Sequence, residues 1–301
     1  MKQPISYHGG HSKKFCLHAW EVKIEEICKQ RIKNGSKYFG FSEHIPTAFF
    51  SLSGQDFLYP EEKGFSKKYF LENFDLYVKS IKEHQKKYQK KAHILLGAET
   101  EMCGKNPCKI IQDLRCKYDF DYLVGSVHHV SNIPFDFNQN EYHKALQKSG
   151  SLEKLFLDYF TLQKKLIQKC QPEIIGHFDL IRIFAPFDFK PSQKIKNAAK
   201  ENINLIIKYG GIFEVNSRPF FKGMKYPYPS AWIMEMIAQA GGLFTFGDDS
   251  HGKDDIFCFW DQAIDYLKNY TKNIVALRRI KTKKRNQKKP MDHLEIINFA
   301  I

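Results

Sequence analysis

No stretch of the 301-residue chain holds the roughly 20 consecutive apolar residues that a bilayer span requires. An apolar leader core is equally missing from the first residues, so no secretory signal peptide is expected. Cysteine is sparse and scattered: there are seven, an odd number. Cys103, Cys108 and Cys116 form the closest group, and their spacing is not that of a zinc ribbon. Free thiols in a reducing cytoplasm are therefore expected. A Gly-rich phosphate loop, a Ser-His-Asp order and a cysteine-nucleophile motif are all lacking, which leaves no covalent nucleophile to argue from. Tryptophan is rare, at three residues, but 26 Phe and 15 Tyr supply ample core. Linker-like composition is absent too, so residues 1–270 are read as one domain, with 271–301 a basic C-terminal extension packed on it or trailing from it.

The net charge of +14 invites a nucleic-acid reading. Much of it, however, is concentrated in Arg278, Arg279, Lys281, Lys283, Lys284, Arg285, Lys288 and Lys289. Such a run reads as a solvated tail or helix face.

What the chain does have is histidine at particular places. His8, His11 and His18 open it, with Gly9 and Gly10 between the first two. Beyond them, short strand-like segments recur at 37–41, 93–97, 121–124, 173–176, 212–216 and 243–246. Helical patterns separate them, at about 66–90, 140–149, 152–169, 191–209, 230–240 and 257–270. With the opening stretch this makes a sevenfold alternation of strand and helix, the pattern of a parallel sheet. Polar ligand-type residues follow nearly every strand, whereas an open sheet collects them at one switch point. A single-domain α/β barrel of (β/α)7 type is expected, with its site at the C-terminal ends of the strands.

The tips hold His8, His11, His18, His44, His128, His129, His177 and His251, together with Glu43, Glu99, Glu101, Asp179, Asp248 and Asp249. So many carboxylates brought together would repel or protonate without a cation. A mixed imidazole and carboxylate set suits zinc, manganese or iron better than calcium or magnesium. The number of candidate ligands points to two or three divalent metal ions. Clustered metals activate water and clamp phosphoryl groups, so phosphate-ester hydrolysis is the expected chemistry.

Six motifs in order carry a family resemblance: His-Ser…Phe-Cys-Leu-His-Ala (11–19), Ser-Glu-His-Ile-Pro (42–46), Gly-Ala-Glu-Thr-Glu (97–101), Gly-Ser-Val-His-His-Val (125–130), Gly-His-Phe-Asp-Leu (176–180) and Asp-Asp-Ser-His-Gly (248–252). The chain resembles the polymerase-and-histidinol-phosphatase (PHP) superfamily over about residues 5–270. Ile-Pro-Phe-Asp-Phe (133–137) after the fourth motif resembles its monofunctional histidinol-phosphate phosphatase branch. The resemblance implies a distorted (β/α)7 barrel with a trinuclear centre, held by His11, His18, His44, Glu99, His128, His177, Asp249 and His251, with Glu99 bridging two ions. The family's His-x-His is stretched here by Gly9-Gly10, and a glycine bulge is expected to let His8 reach the metals as well.

The reaction implied is hydrolysis of L-histidinol phosphate in histidine biosynthesis, by a cytoplasmic enzyme with a small phosphorylated substrate and no membrane or nucleic-acid partner. Glu99 would serve catalysis through the metals, and Asp249 or His251 would assist proton transfer to the leaving group. Arg182, Arg218 and Lys222, on motif-adjacent loops, are candidates for the phosphate, and Glu101 or Asp179 for the substrate ammonium. His129 either contacts substrate or orients a neighbouring ligand. Two other readings stand beside this one. A nuclease or nucleotide phosphoesterase would draw on the basic run, and a non-catalytic metal- or nucleic-acid-binding module would draw on the altered His8 spacing.

Overall fold

The computed structural model describes residues 3–51, 59, 62–280, 282–286 and 289–301. In chain order the elements are α1 (Ile24–Lys33), β1 (Tyr38–His44), α2 (Lys67–Tyr88), β2 (His93–Glu99), α3 (Pro107–Tyr118), β3 (Tyr122–Gly125) and the small hairpin β4 (His129–Val130) with β5 (Ile133–Pro134). Then follow α4 (Gln139–Ser149), α5 (Leu152–Cys170), β6 (Ile174–Ile175), α6 (Gln193–Tyr209), β7 (Ile212–Asn216), α7 (Arg218–Phe221), α8 (Ala231–Gln239), β8 (Leu243–Gly247) and α9 (Trp260–Leu267). β9 (Asn273–Arg279) and β10 (Leu294–Ala300) close the chain.

Local signals explain most boundaries. Ser66, Asn138, Ser151 and Ser192 each accept a hydrogen bond from the backbone N–H three residues on, which starts α2, α4, α5 and α6. Gly150 and Gly210 end α4 and α6 in the left-handed conformation. α2 turns Phe70, Phe74, Tyr77, Val78 and Ile81 inward, one apolar stripe at helical spacing. α3 is an element the sequence reading does not place. Its inward residues Cys108, Ile111, Leu114 and Arg115 keep helical spacing but include a cation.

Six strands form a curled parallel sheet in the order β1-β2-β3-β6-β7-β8. Residues 5–9 join its two edges. Ser6 bridges Phe39 of β1, the Tyr7 N–H donates to the Phe246 carbonyl of β8 at 3.2 Å, and Gly9 bridges Ser250. The expected barrel is present in distorted form, with the seventh strand reduced to isolated bridges. The glycines are the reason. Gly9 and Gly10 have φ of +110° and +79°, and a Cβ on Gly9 would lie 2.3 Å from the Ser250 nitrogen. Gly9 can approach the segment after β8, and Gly10 can pass the Phe41 ring of β1, only because no side chain intervenes.

Arg31 of α1 locks this seam from below. It is fully buried, donates to the Gly40 carbonyl at 2.6 Å and to Asp248 Oδ1 at 3.2 Å, and lies among the rings of Phe39, Phe41 and Phe257. A guanidinium so placed is tolerated because its charge is paired and hydrogen-bonded.

The C-terminal segment corrects the reading of the basic run as a solvated tail or helix face in part: its arginines are tied into the fold, while Lys283, Lys284 and Lys289 are exposed. β9 and β10 form an antiparallel pair, and the Tyr7 hydroxyl is bonded to both the N–H and carbonyl of Leu277. Arg278 pairs with Glu295, Arg279 lies 3.7 Å from both Asp119 and Asp121, and Arg285 reaches the buried Glu173 at 2.8 Å. Lys281 and Lys288 lie outside the described residues. All seven cysteines are free thiols. No helix among the described residues is long and apolar enough to cross a membrane.

Candidate metal centre

The C-terminal ends of β1, β2, β3, β6, β7 and β8, with the 8–18 segment, all deliver side chains to one point. Glu99, the last residue of β2, stands at its centre. Its Oε1 lies 3.0 Å from His8 Nε2, 3.1 Å from His128 Nε2 and 3.0 Å from His177 Nε2, while Oε2 lies 3.1 Å from His44 Nδ1. Asp249 Oδ1 is 3.8 Å from the Nε2 atoms of both His8 and His11. His251 and His18 complete the rim, their rings 5.1 Å apart and each facing His44. Asp249 holds φ of +49°, a strained backbone for a residue with a Cβ, and such strain is found where side-chain placement is functional.

Buried carboxylates fix the tautomers. Glu214 Oε1 accepts from His8 Nδ1 at 2.8 Å, and Glu43 Oε1 accepts from His11 Nδ1 at 2.7 Å. A carboxylate only accepts, so in each neutral ring Nε2 carries a lone pair aimed at the cluster. Those two Nε2 atoms, both nitrogens of His44 and Oε2 of Glu99 are buried without a hydrogen-bond partner. His177 Nδ1 is likewise buried without a partner, and its Nε2 lies 3.4 Å from His128 Nε2. Buried acceptors turned on acceptors are costly unless a cation lies among them. Separations of roughly 3 Å are the polyhedron edges produced by ligands about 2.0–2.2 Å from one ion. The donor set therefore fits divalent metal. It forms overlapping groups: His8 with His11 and Asp249, His8 with Glu99 and His177, His44 with Glu99 and His128, and His11 with Cys16, His44 and His251. Shared members make this a multi-metal site.

The electrostatics show carboxylates that call for positive charge. Burial lowers His8 and His128, but Glu214, Glu99 and Asp249 beside His8, and Glu101 and Glu99 beside His128, outweigh it and raise both imidazoles well above their ordinary value. Protons or a metal ion must therefore balance this cluster. Burial opposes ionisation of Glu99, but the imidazoles of His8, His44 and His128 outweigh it and hold the carboxyl well below the usual range. Glu101 behaves likewise, its burial outweighed by His128, His129 and His44. Burial instead raises the Cys16 thiol well above its ordinary value, with Glu43 adding to it, and its Sγ lies 3.1 Å from His18 Nε2.

A cavity of about 260 Å³ opens over the cluster. Arg218 and Lys222 line it, along with Tyr59, Asp136, Phe137, Leu180 and Tyr228. Arg218 is held by Asp255 at 2.6 Å, which also accepts the backbone N–H of His251 at 2.8 Å. The other sequence candidates are placed differently. Arg182 sits beside the cavity, bonded to Asp179 and to the carbonyls of Tyr226 and Pro227, with its guanidinium over the Tyr228 ring. Asp179 also accepts from the Ser230 N–H. Glu101 lies within 3.6 Å of His44, His128 and His129, so its carboxylate is engaged by imidazoles, and His129 is fully buried against it. Asp248 turns away to Arg31, and Glu43 orients His11.

Glu214 is one residue of the site that sequence reasoning misses. Both its oxygens serve the site, Oε1 on His8 and Oε2 on the His177 N–H at 2.7 Å. Its signal was an acid in the middle of an apolar strand, beside the equally silent Gly247, where a Cβ would strike Glu214 Oε1 at 1.6 Å.

The sequence model of the PHP domain matches residues 8–218. A Schizosaccharomyces pombe protein named "Probable histidinol-phosphatase" is 40% identical over 269 residues, covering 88% of this chain and 86% of that one. The Saccharomyces cerevisiae "Histidinol-phosphatase" is 25% identical, covering 86% and 87%. The crystal structure of histidinol phosphate phosphatase from Lactococcus lactis, complexed with zinc, L-histidinol and phosphate, superposes with a TM-score of 0.62 at 19% identity, covering 91% of this chain and 96% of that one.

Proposed function

The chain belongs to the PHP domain family, and from that premise we propose that it is a metal-dependent histidinol-phosphatase, releasing phosphate from L-histidinol phosphate in histidine biosynthesis. The observation that carries the reading is the convergence of His8, His44, His128 and His177 on Glu99, in a chain 40% identical to a relative of that name. His8, His11, His18, His44, Glu99, His128, His177, Asp249 and His251 would hold two or three divalent ions, zinc, manganese or iron. When bound, these ions supply Lewis-acid neutralisation of the phosphoryl oxygens and a water of lowered pKa.

The chain's own residues do the rest. Arg218 and Lys222 reach into the cavity as cations for the phosphate oxygens, and Asp255 fixes the Arg218 fork. Arg182, pinned by Asp179, shapes the Tyr228 wall. Asp249 and His251 serve first as ligands: His251 Nδ1 donates to the Asp249 carbonyl at 2.8 Å, which leaves Nε2 for an ion, and proton transfer to the leaving alkoxide would fall to whichever of the two is not ligating. Glu43, Glu101 and Glu214 orient imidazoles. The free thiols fit a cytoplasmic setting.

The basic run lends a nucleic-acid reading little support, since Arg278, Arg279 and Arg285 are tied to acidic partners. Phosphate release from L-histidinol phosphate, compared with an aryl phosphate and single-stranded DNA, tests the reading. Preference for histidinol phosphate supports it, and activity confined to DNA overturns it.

A further inference from the structure

Most carboxylates in and around the site are already engaged. Glu99 and Asp249 face imidazoles, Glu101 faces three of them, Asp179 holds Arg182, and Asp255 holds Arg218. Asp136 differs. It lines the cavity, its Oδ1 is buried without a hydrogen-bond partner, and no cation pairs with it among the described residues. It follows β5 in the Ile-Pro-Phe-Asp-Phe segment, a motif that neither the metal cluster nor the phosphate cations use. Two aromatic rings stand with it in the cavity wall, Tyr59 and Phe137, their centroids 5.9 Å apart.

Resting on the proposed phosphatase activity, we infer that Asp136, flanked by Tyr59 and Phe137, receives the ammonium end of the substrate and so selects amine-bearing phosphomonoesters. The cavity is chemically two-sided. Arg218 and Lys222 enter from the segment after β7, Asp136 from the segment after β3, and β6 lies between them in the sheet. A phosphate group bound among metals and cations directs the organic remainder of the ester away from them. A carboxylate lacking a partner there is unfavourable until a donor arrives, which makes it selective: a ligand without the ammonium leaves Asp136 unsatisfied. The aromatic faces add a surface for a planar or cationic group.

The test is Asp136→Asn, which keeps the shape and removes the charge. Activity is read as the ratio of kcat/KM for L-histidinol phosphate to that for an aryl phosphate without an amine, and the variant is expected to lower that ratio about 10- to 100-fold. An unchanged ratio overturns the inference, whatever the absolute rates. A wild type inactive on L-histidinol phosphate would count against the phosphatase reading alone. In that event calorimetric binding of L-histidinol to wild type and variant decides: affinity lost on substitution sustains the Asp136 subsite, and equal or absent affinity overturns it. Melting curves for both proteins establish that the variant is folded.

Discussion

Two buried charge clusters sit at opposite ends of the strands, and they differ in how completely the protein satisfies them. At the N-terminal end, Glu173 precedes β6 and is fully buried. One oxygen accepts from Arg115 at 2.8 Å and from the Leu123 N–H at 2.9 Å, and the other accepts from Arg285 at 2.8 Å. Both guanidiniums also donate to the Cys170 carbonyl. Neither Glu173 oxygen is left over. At the C-terminal end the Glu99 cluster is equally buried, yet it leaves nitrogens and oxygens without a hydrogen-bond partner. The lower cluster is closed by protein groups and holds the fold. The upper one is closed only by something the chain does not encode. Burial and charge alone would rank them alike, and the accounting of partners separates them.

The contrast is broken most severely by Glu99→Gln. Removing the central charge is expected to lower phosphate release more than about 100-fold, beyond what loss of an orienting residue costs. Bound metal, measured by elemental analysis, should fall with it while the circular-dichroism spectrum is retained. Glu214→Gln should cost about 10- to 100-fold in activity or metal affinity, because His8 loses the acceptor that fixes its tautomer. Gly247→Ala sharpens that prediction, since its methyl would displace the same carboxylate and should mimic the loss.

In the lower cluster the consequence is stability. Glu173→Ala strands two guanidiniums and should cost about 3–5 kcal/mol by denaturant unfolding, with metal content per folded molecule unchanged. The pH dependence follows the same logic. Burial opposes the charge on Glu173, but Arg115 and Arg285 outweigh it and lower its pKa from 4.5. The wild type therefore has the full contribution of this group above about pH 4.5, and loses it as the pH falls through the lowered folded value. The alanine variant should lack that acid-side decline, as unfolding measured along a pH series will reveal.

How much of this was readable beforehand also divides along the two clusters. The upper site was largely legible because alternating strands and helices put each tip histidine on the same rim, so His44, His128 and His177 could be grouped from spacing alone. His8 was harder. Its reach depends on two positive-φ glycines, a backbone property that residue spacing only hints at. Glu214 and Arg31 were opaque, since an acid inside Ile-Phe-Glu-Val-Asn and a cation inside a Lys-rich helix carry no local mark of the distant partner that permits them. Arg285 was hidden for the converse reason. A dense run of like charges masks the one member that a buried glutamate has claimed 112 residues away.

The most direct test of the account is metal analysis joined to turnover. Protein stripped by chelation should release no phosphate from L-histidinol phosphate, and restored activity should track the uptake of roughly two to three zinc or manganese ions per chain. Full activity in the stripped protein, or a folded chain that takes up no metal at all, would contradict the claim that the unsatisfied groups around Glu99 are a metal centre.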